Sequence, residues 1–168
     1  MSIEFFASRV WRYASILAFA VILLFTYRGL PDFTAVHFNA NGRGDGFLPK
    51  DEIFYLFLAL SLVINILPVV VAKMIDKLPI TSFAWIPNKK WLDSPKQVHE
   101  SFKNWLNFLP AGINTFLILV LRALLTLNDE RSYNTSYTYL LVVGAALLLT
   151  WIAYLPIKLL FTNPVVED

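Results

Sequence analysis

Long uncharged runs alternate with short polar stretches along this chain. Arg12 and Arg28 enclose 15 uncharged residues, Glu52 and Lys73 enclose 20, Lys103 and Arg122 enclose 18, and Arg131 and Lys158 enclose 26. The third run continues in apolar sequence toward Asp129. A helix that crosses a bilayer needs about 20 mostly apolar residues. The runs therefore predict four membrane-spanning helices, at 10–29, 53–73, 105–128 and 137–159. The first run is short, but arginines at its ends can bury their stems and snorkel their heads into water. It ends in Phe25-Thr26-Tyr27-Arg28 with no small-x-small cleavage pattern, which favours an uncleaved anchor over a signal peptide.

The polar stretches predict an outer loop at 30–52, an inner loop at 74–104 and a short connection near 128–136. A short connection makes helices three and four antiparallel neighbours. In the inner loop, Leu78-Pro79 and Ile86-Pro87-Asn88 break regular structure. Ser94, Pro95 and Gln97 then have the order of a capping box, and Val98, Phe102, Trp105, Leu106 and Leu109 follow at helical spacing. This helix should run directly into the third span, with a kink at Pro110. In the outer loop, Leu30-Pro31-Asp32 ends helix one. Thr34 to Asn39 can be extended, with Val36 and Phe38 on one side and Ala35 and His37 on the other. Asn41-Gly42 is a tight-turn pair in which both residues tolerate positive φ. The expectation is an all-α integral membrane protein: a four-helix bundle under a small extracytoplasmic cap.

Composition agrees: 57% of residues are hydrophobic and only 15% charged, more apolar than an ordinary soluble domain. A net charge of +2 is too small to argue for nucleic acid. Arg9, Arg12, Lys73, Lys77, Lys89, Lys90, Lys96, Lys103 and Lys158 fall on one side and Arg28, Arg43, Lys50, Arg122 and Arg131 on the other, nine against five. The positive-inside rule then puts both termini in the cytoplasm and the cap outside. The absence of cysteine excludes disulfides, thiolate metal sites and thiol catalysis. Trp11, Tyr13, Tyr27, Phe54, Tyr55, Trp105, Tyr137, Tyr139 and Tyr154 fall near the interfaces, as an aromatic belt does. Asn134-Thr135-Ser136 matches a glycosylation sequon formally, with little weight beside a membrane.

Three polar residues lie within the spans. Asn65 and Asn114 sit near the middles of helices two and three, where amides usually hydrogen-bond between helices. The sharper reading is a polar lining for a substrate path. Arg122, near the outer end of helix three, can snorkel or pair with Asp129, Glu130 or Asp32. Small residues at Ala14/Ala18, Ala111/Thr115 and Gly144-Ala145-Ala146 mark possible close helix contacts.

The outer loop admits sharper readings. Asn41, Asp45, Gly46, Leu48 and Glu52 fit positions of a calcium loop, but Arg43 stands where an oxygen ligand is needed. Arg43-Gly44-Asp45 is too short a motif to carry an adhesion argument. The second histidine, His99, belongs to the opposite side from His37, so one chain cannot build a two-histidine zinc site. No metal or cofactor is expected.

The stretch "LPDFTAVHFNANGRGDGF" resembles the signature of the DUF1648 membrane family, matching at Leu30, Pro31, Asp32, His37, Phe38, Asn39, Gly42, Asp45, Gly46 and Phe47, with Lys50 following. The inner stretch "IPNKKWLDSPKQVHESFKNWL" is similar to a second segment of that family at Pro87, Asn88, Lys89, Trp91, Leu92 and Pro95, and departs from it at Asp93, Gln97 and Val98. The resemblance implies a largely uncharacterised bacterial membrane family. Its SdpI-like relatives protect a bacterium from a toxic peptide and can sequester a regulator.

No nucleophile–base pair, phosphate loop or paired buried carboxylates appear in the sequence, so an enzyme is not expected. The expected function is partner binding in a bacterial inner membrane, as an accessory subunit or an immunity or signalling receptor. Asp32, His37, Asn39, Gly42, Asp45 and Gly46 form its cap surface, and Asn88, Lys89 and Trp91 its cytoplasmic contact. Expected partners are the bilayer and another membrane protein or a second copy. The alternative is a small oligomeric transporter or channel lined by Asn65, Asn114 and Arg122.

Overall fold

The computed structural model describes residues 3–129 and 138–165. Glu130, Arg131, the sequon at 134–136 and Tyr137 lie outside the described residues. Four helices are long and apolar enough to cross a membrane: α1 (Ile3–Gly29), α2 (Lys50–Ile75), α3 (Pro95–Leu127) and α4 (Thr138–Phe161). Between α1 and α2 stand two antiparallel strands, β1 (Phe33–Phe38) and β2 (Gly44–Pro49). The segment between α2 and α3 is not an open loop. It folds as 3-10 turns at Ile80–Phe83 and Lys89–Asp93.

The helices match the predicted spans but overrun them. α1 starts at Ile3 rather than near 10, because an uncharged run marks only the part of a helix suited to lipid. α3 has 33 residues, a rod of about 50 Å, longer than the roughly 30 Å hydrocarbon layer. It starts at Pro95, as predicted, and runs unbroken through Pro110.

α3 is the central element and packs on α1, α2 and α4. Phe19 and Leu23 of α1 meet Leu117 and Leu121 of α3 in one core cluster. On the other side Gly144 of α4 lies so close that a Cβ there would stand 2.8 Å from Leu119 and 3.0 Å from Phe116. Ala111 is likewise buried. Ala14 and Ala18 are both exposed on α1. Only 11–33% of the most apolar window of each helix is buried, so most of its greasy side chains face outward. Leu17, Leu24, Phe25, Val63, Ile66, Leu147 and Leu149 are among them. In water such a surface would aggregate. In a bilayer it is solvated.

Candidate functional site

Three polar assemblies are built on this frame: a hairpin at one end, an amide cluster inside the bundle, and the folded segment between α2 and α3.

The hairpin turns through three residues rather than two. The Gly42 N–H donates to the Asn39 carbonyl (2.9 Å) and the Asn39 N–H to the Arg43 carbonyl (2.9 Å). Asn39 Oδ1 also accepts from the Asn41 and Arg43 N–H groups, at 2.9 and 3.1 Å. Among the described residues only Gly42 has positive φ, +74°. The turn signalled by Asn41-Gly42 is present, with Gly42 as its left-handed residue. A three-residue loop needs one left-handed residue, at its last position. Gly46 is required for another reason: a Cβ there would stand 2.9 Å from the Cβ of His37 on the facing strand. Strict alternation in β1 also fails, because register irregularities fall between Ala35 and His37 and between His37 and Phe38. Thr34 and Ala35 are both buried, while Val36 and His37 are both exposed.

The hairpin is anchored below and free above. The Asn128 side chain bridges to Ala35: its Oδ1 accepts the Ala35 N–H at 2.8 Å and its Nδ2 donates to the Ala35 carbonyl at 3.0 Å. Nδ2 also donates to the Leu124 carbonyl of its own helix (2.9 Å). At the strand bases Lys50 pairs with Asp32 (2.7 Å), and its backbone N–H donates to the Asp32 carbonyl (3.0 Å). That Lys50 hydrogen bond holds the Asp32 carboxyl below its ordinary range. Nearby, Tyr27 donates its hydroxyl to Asp51 (2.7 Å) and lies 5.6 Å beneath the Lys50 ammonium. His37 Nδ1 pairs with Asp45, and Phe33, Val36 and Phe47 are exposed, Phe47 beside Leu127 and Asn128. Residues 44–49 of the proposed calcium frame form a strand, with Glu52 in the first turn of α2. Among the described residues, no three His, Asp or Glu side chains gather as a metal site.

Inside the bundle, Asn65 and Asn114 form a closed amide pair, each Nδ2 donating to the other's Oδ1 at 3.1 Å. Asn114 is fully buried and also donates to Ser15 Oγ (3.2 Å). Asn65 also donates to the Ser61 carbonyl (2.8 Å). One cluster thus ties α1, α2 and α3 together. Arg12 joins it by donating from Nη2 to the Asn65 carbonyl (2.8 Å). Sequence reasoning gave Arg12 an outward, snorkelling head, and the structure turns it inward to α2. Arg122 stands apart. It is exposed and has no side-chain partner among the described residues, and Asp32 is already held by Lys50.

The residues of the segment between α2 and α3 are mostly turned inward. Trp91 is buried at 2% exposure and donates its indole N–H to the Thr162 carbonyl (2.9 Å). Asn88 donates to the same carbonyl (2.8 Å), capping the end of α4. Lys89 is exposed and donates to the Ala84 carbonyl (2.6 Å). Trp91 therefore packs a core with Phe83, Ile86, Val98, Leu155 and Leu159 rather than presenting a contact surface. The expected capping box does not close either. Gln97 instead pairs in both directions with the backbone of Val165, at 2.7 and 2.9 Å.

The family model described as "Domain of unknown function (DUF1648)" matches residues 14–62. That stretch holds most of α1, the whole hairpin and the first half of α2. The match ends before the segment between α2 and α3. No curated protein and no solved structure matches the chain. The chain is a multi-pass membrane protein whose residues 14–62 match the DUF1648 model, and the anchored hairpin stands at the centre of that stretch.

Proposed function

We propose that the protein is a non-enzymatic partner-binding protein of a bacterial cytoplasmic membrane, with the hairpin as its recognition surface. An accessory subunit and an immunity-type receptor of the SdpI-like kind are the two forms this role takes. The observation that carries the reading is the hairpin's two-sidedness. It is fixed to α3 and α2 by Asn128 and Lys50, yet Phe33, Val36, His37 and Phe47 stand exposed. A pre-ordered surface mixing aromatic and charged groups suits protein recognition, because little ordering entropy is left to lose on binding. The positive-inside distribution puts this surface outside the cell, with both termini in the cytoplasm. The transport alternative has less support, since Asn65 and Asn114 satisfy each other and leave few polar groups to line a path.

A photo-crosslinking amino acid at Phe47 or Val36, in cells that make the protein at native level, tests the proposal. A discrete protein adduct is expected from both exposed positions and none from the buried Thr34. Adducts to lipid alone would reject the reading.

A further inference from the structure

At the end of the bundle that carries the N-terminus, α1, α2 and α3 part to leave a cleft of about 420 Å³. Arg9, Arg12, Lys73 and Lys103 bring four cations to its walls, against the single carboxylate of Asp76. Asp76 is already engaged by Lys103, at 2.9 Å. Lys73 is exposed and makes no hydrogen bond or ion pair among the described residues. Arg12 gives Nη2 to the Asn65 carbonyl, while its Nε is buried without a hydrogen-bond partner. A buried donor without an acceptor is costly. The cleft therefore has an excess of positive charge and donors, and space beside them.

Its depth selects the source of the anion. Arg9 opens the apolar part of α1 and Lys73 lies in the last turn of α2, so the cations stand where hydrocarbon gives way to water. Trp11 and Tyr13 are exposed at the same level, as interfacial aromatics are. Val69 and Ala72 add an apolar stretch to the same wall. A phosphate among the cations with acyl chains along that stretch satisfies both halves. We infer that this cleft binds the headgroup of an anionic phospholipid. Basic pockets between spanning helices are general headgroup sites, and a guanidinium donates two parallel bonds to a phosphate.

The test uses the full chain in a mild non-ionic detergent. Phosphatidylglycerol and phosphatidylcholine with identical acyl chains are titrated in, and bound lipids are counted by native mass spectrometry. The wild-type protein should retain phosphatidylglycerol preferentially. Lys73→Gln should weaken it about five-fold, and Lys73→Gln with Arg9→Gln about 25-fold, for cations acting at a membrane surface. Lys89→Gln, outside the cleft, should change nothing. Gel filtration of the same samples establishes folding, and the exposed Lys73 variant carries the test if the double variant fails to fold. Equal retention of the two lipids would overturn the inference, as would an unchanged preference in Lys73→Gln. Displacement of the lipid by millimolar inorganic phosphate would reassign the cleft to a free anion and overturn it too.

Discussion

The two ends of this bundle are closed by different physics. At the end that carries the N-terminus the chain between α2 and α3 buries itself: Ile86 and Val98 are 0% exposed, Trp91 2% and Phe83 3%. At the hairpin end only Leu30, Thr34 and Ala35 of the chain between α1 and α2 are buried, and specific polar contacts hold the rest. Apolar burial is non-directional and consumes the side chains that provide it. Hydrogen bonds to the backbone of a strand fix its position and leave its side chains available. The N-terminal end is built mainly for stability, and the hairpin end keeps a fixed shape with an open surface.

That contrast is most easily broken at Trp91. Trp91→Ala should cost about 3–5 kcal/mol, as expected for truncating a buried aromatic. Reversible unfolding in mixed micelles would report the loss. If the variant were as stable as wild type, the segment between α2 and α3 would not be a core. Asn128→Ala should have a smaller effect, about 1–3 kcal/mol, because the buried polar groups of Ala35 lose their partner. Hydrogen exchange should then speed up at Ala35 and its neighbours while amides around Trp91 keep their protection. Equal loosening at both ends would erase the distinction. The smallest effect belongs to Asp32. Its carboxyl is held below the ordinary value of 3.8, so the ion pair's contribution is complete above that value. It is lost as pH falls through the lowered one. Asp32 is exposed, so water screens the pair and the change should be slight. An NMR titration of hairpin amides should show it in wild type and not in Asp32→Asn.

Much of this architecture could be read from the sequence. Run length between charges located the four spans, since lipid tolerates few charges whatever the packing. Pro95 marked the start of α3 because proline suits a first helical turn and little else in a helix. The glycines of the hairpin announced a turn, but its type depended on side-chain bonds from Asn39 that spacing alone does not specify. Asn65 and Asn114 were recognisable as interhelical amides, though not as each other's partner. Asn128 was missed altogether. It lies 93 residues from Ala35, and an asparagine just past a helix reads as an ordinary cap. Arg12 was misread because a terminal arginine can face water as easily as a carbonyl. Its choice depends on where α2 lies. Trp91 was taken for surface because loop tryptophans near charges give no periodicity from which burial can be read.

The Asn128 bridge has a consequence for how anything can join the hairpin. A two-stranded ribbon normally offers two edges to which a visiting peptide can add as a further strand. Here the outward-pointing backbone groups of Ala35, at the middle of β1, are already paired with the amide that ends α3. A peptide adding along β1 would have to displace that amide and so release the end of the central helix. Strand addition on that side is thus in competition with the bundle's own closure, and occupancy of one edge is felt by the helix that touches all the others.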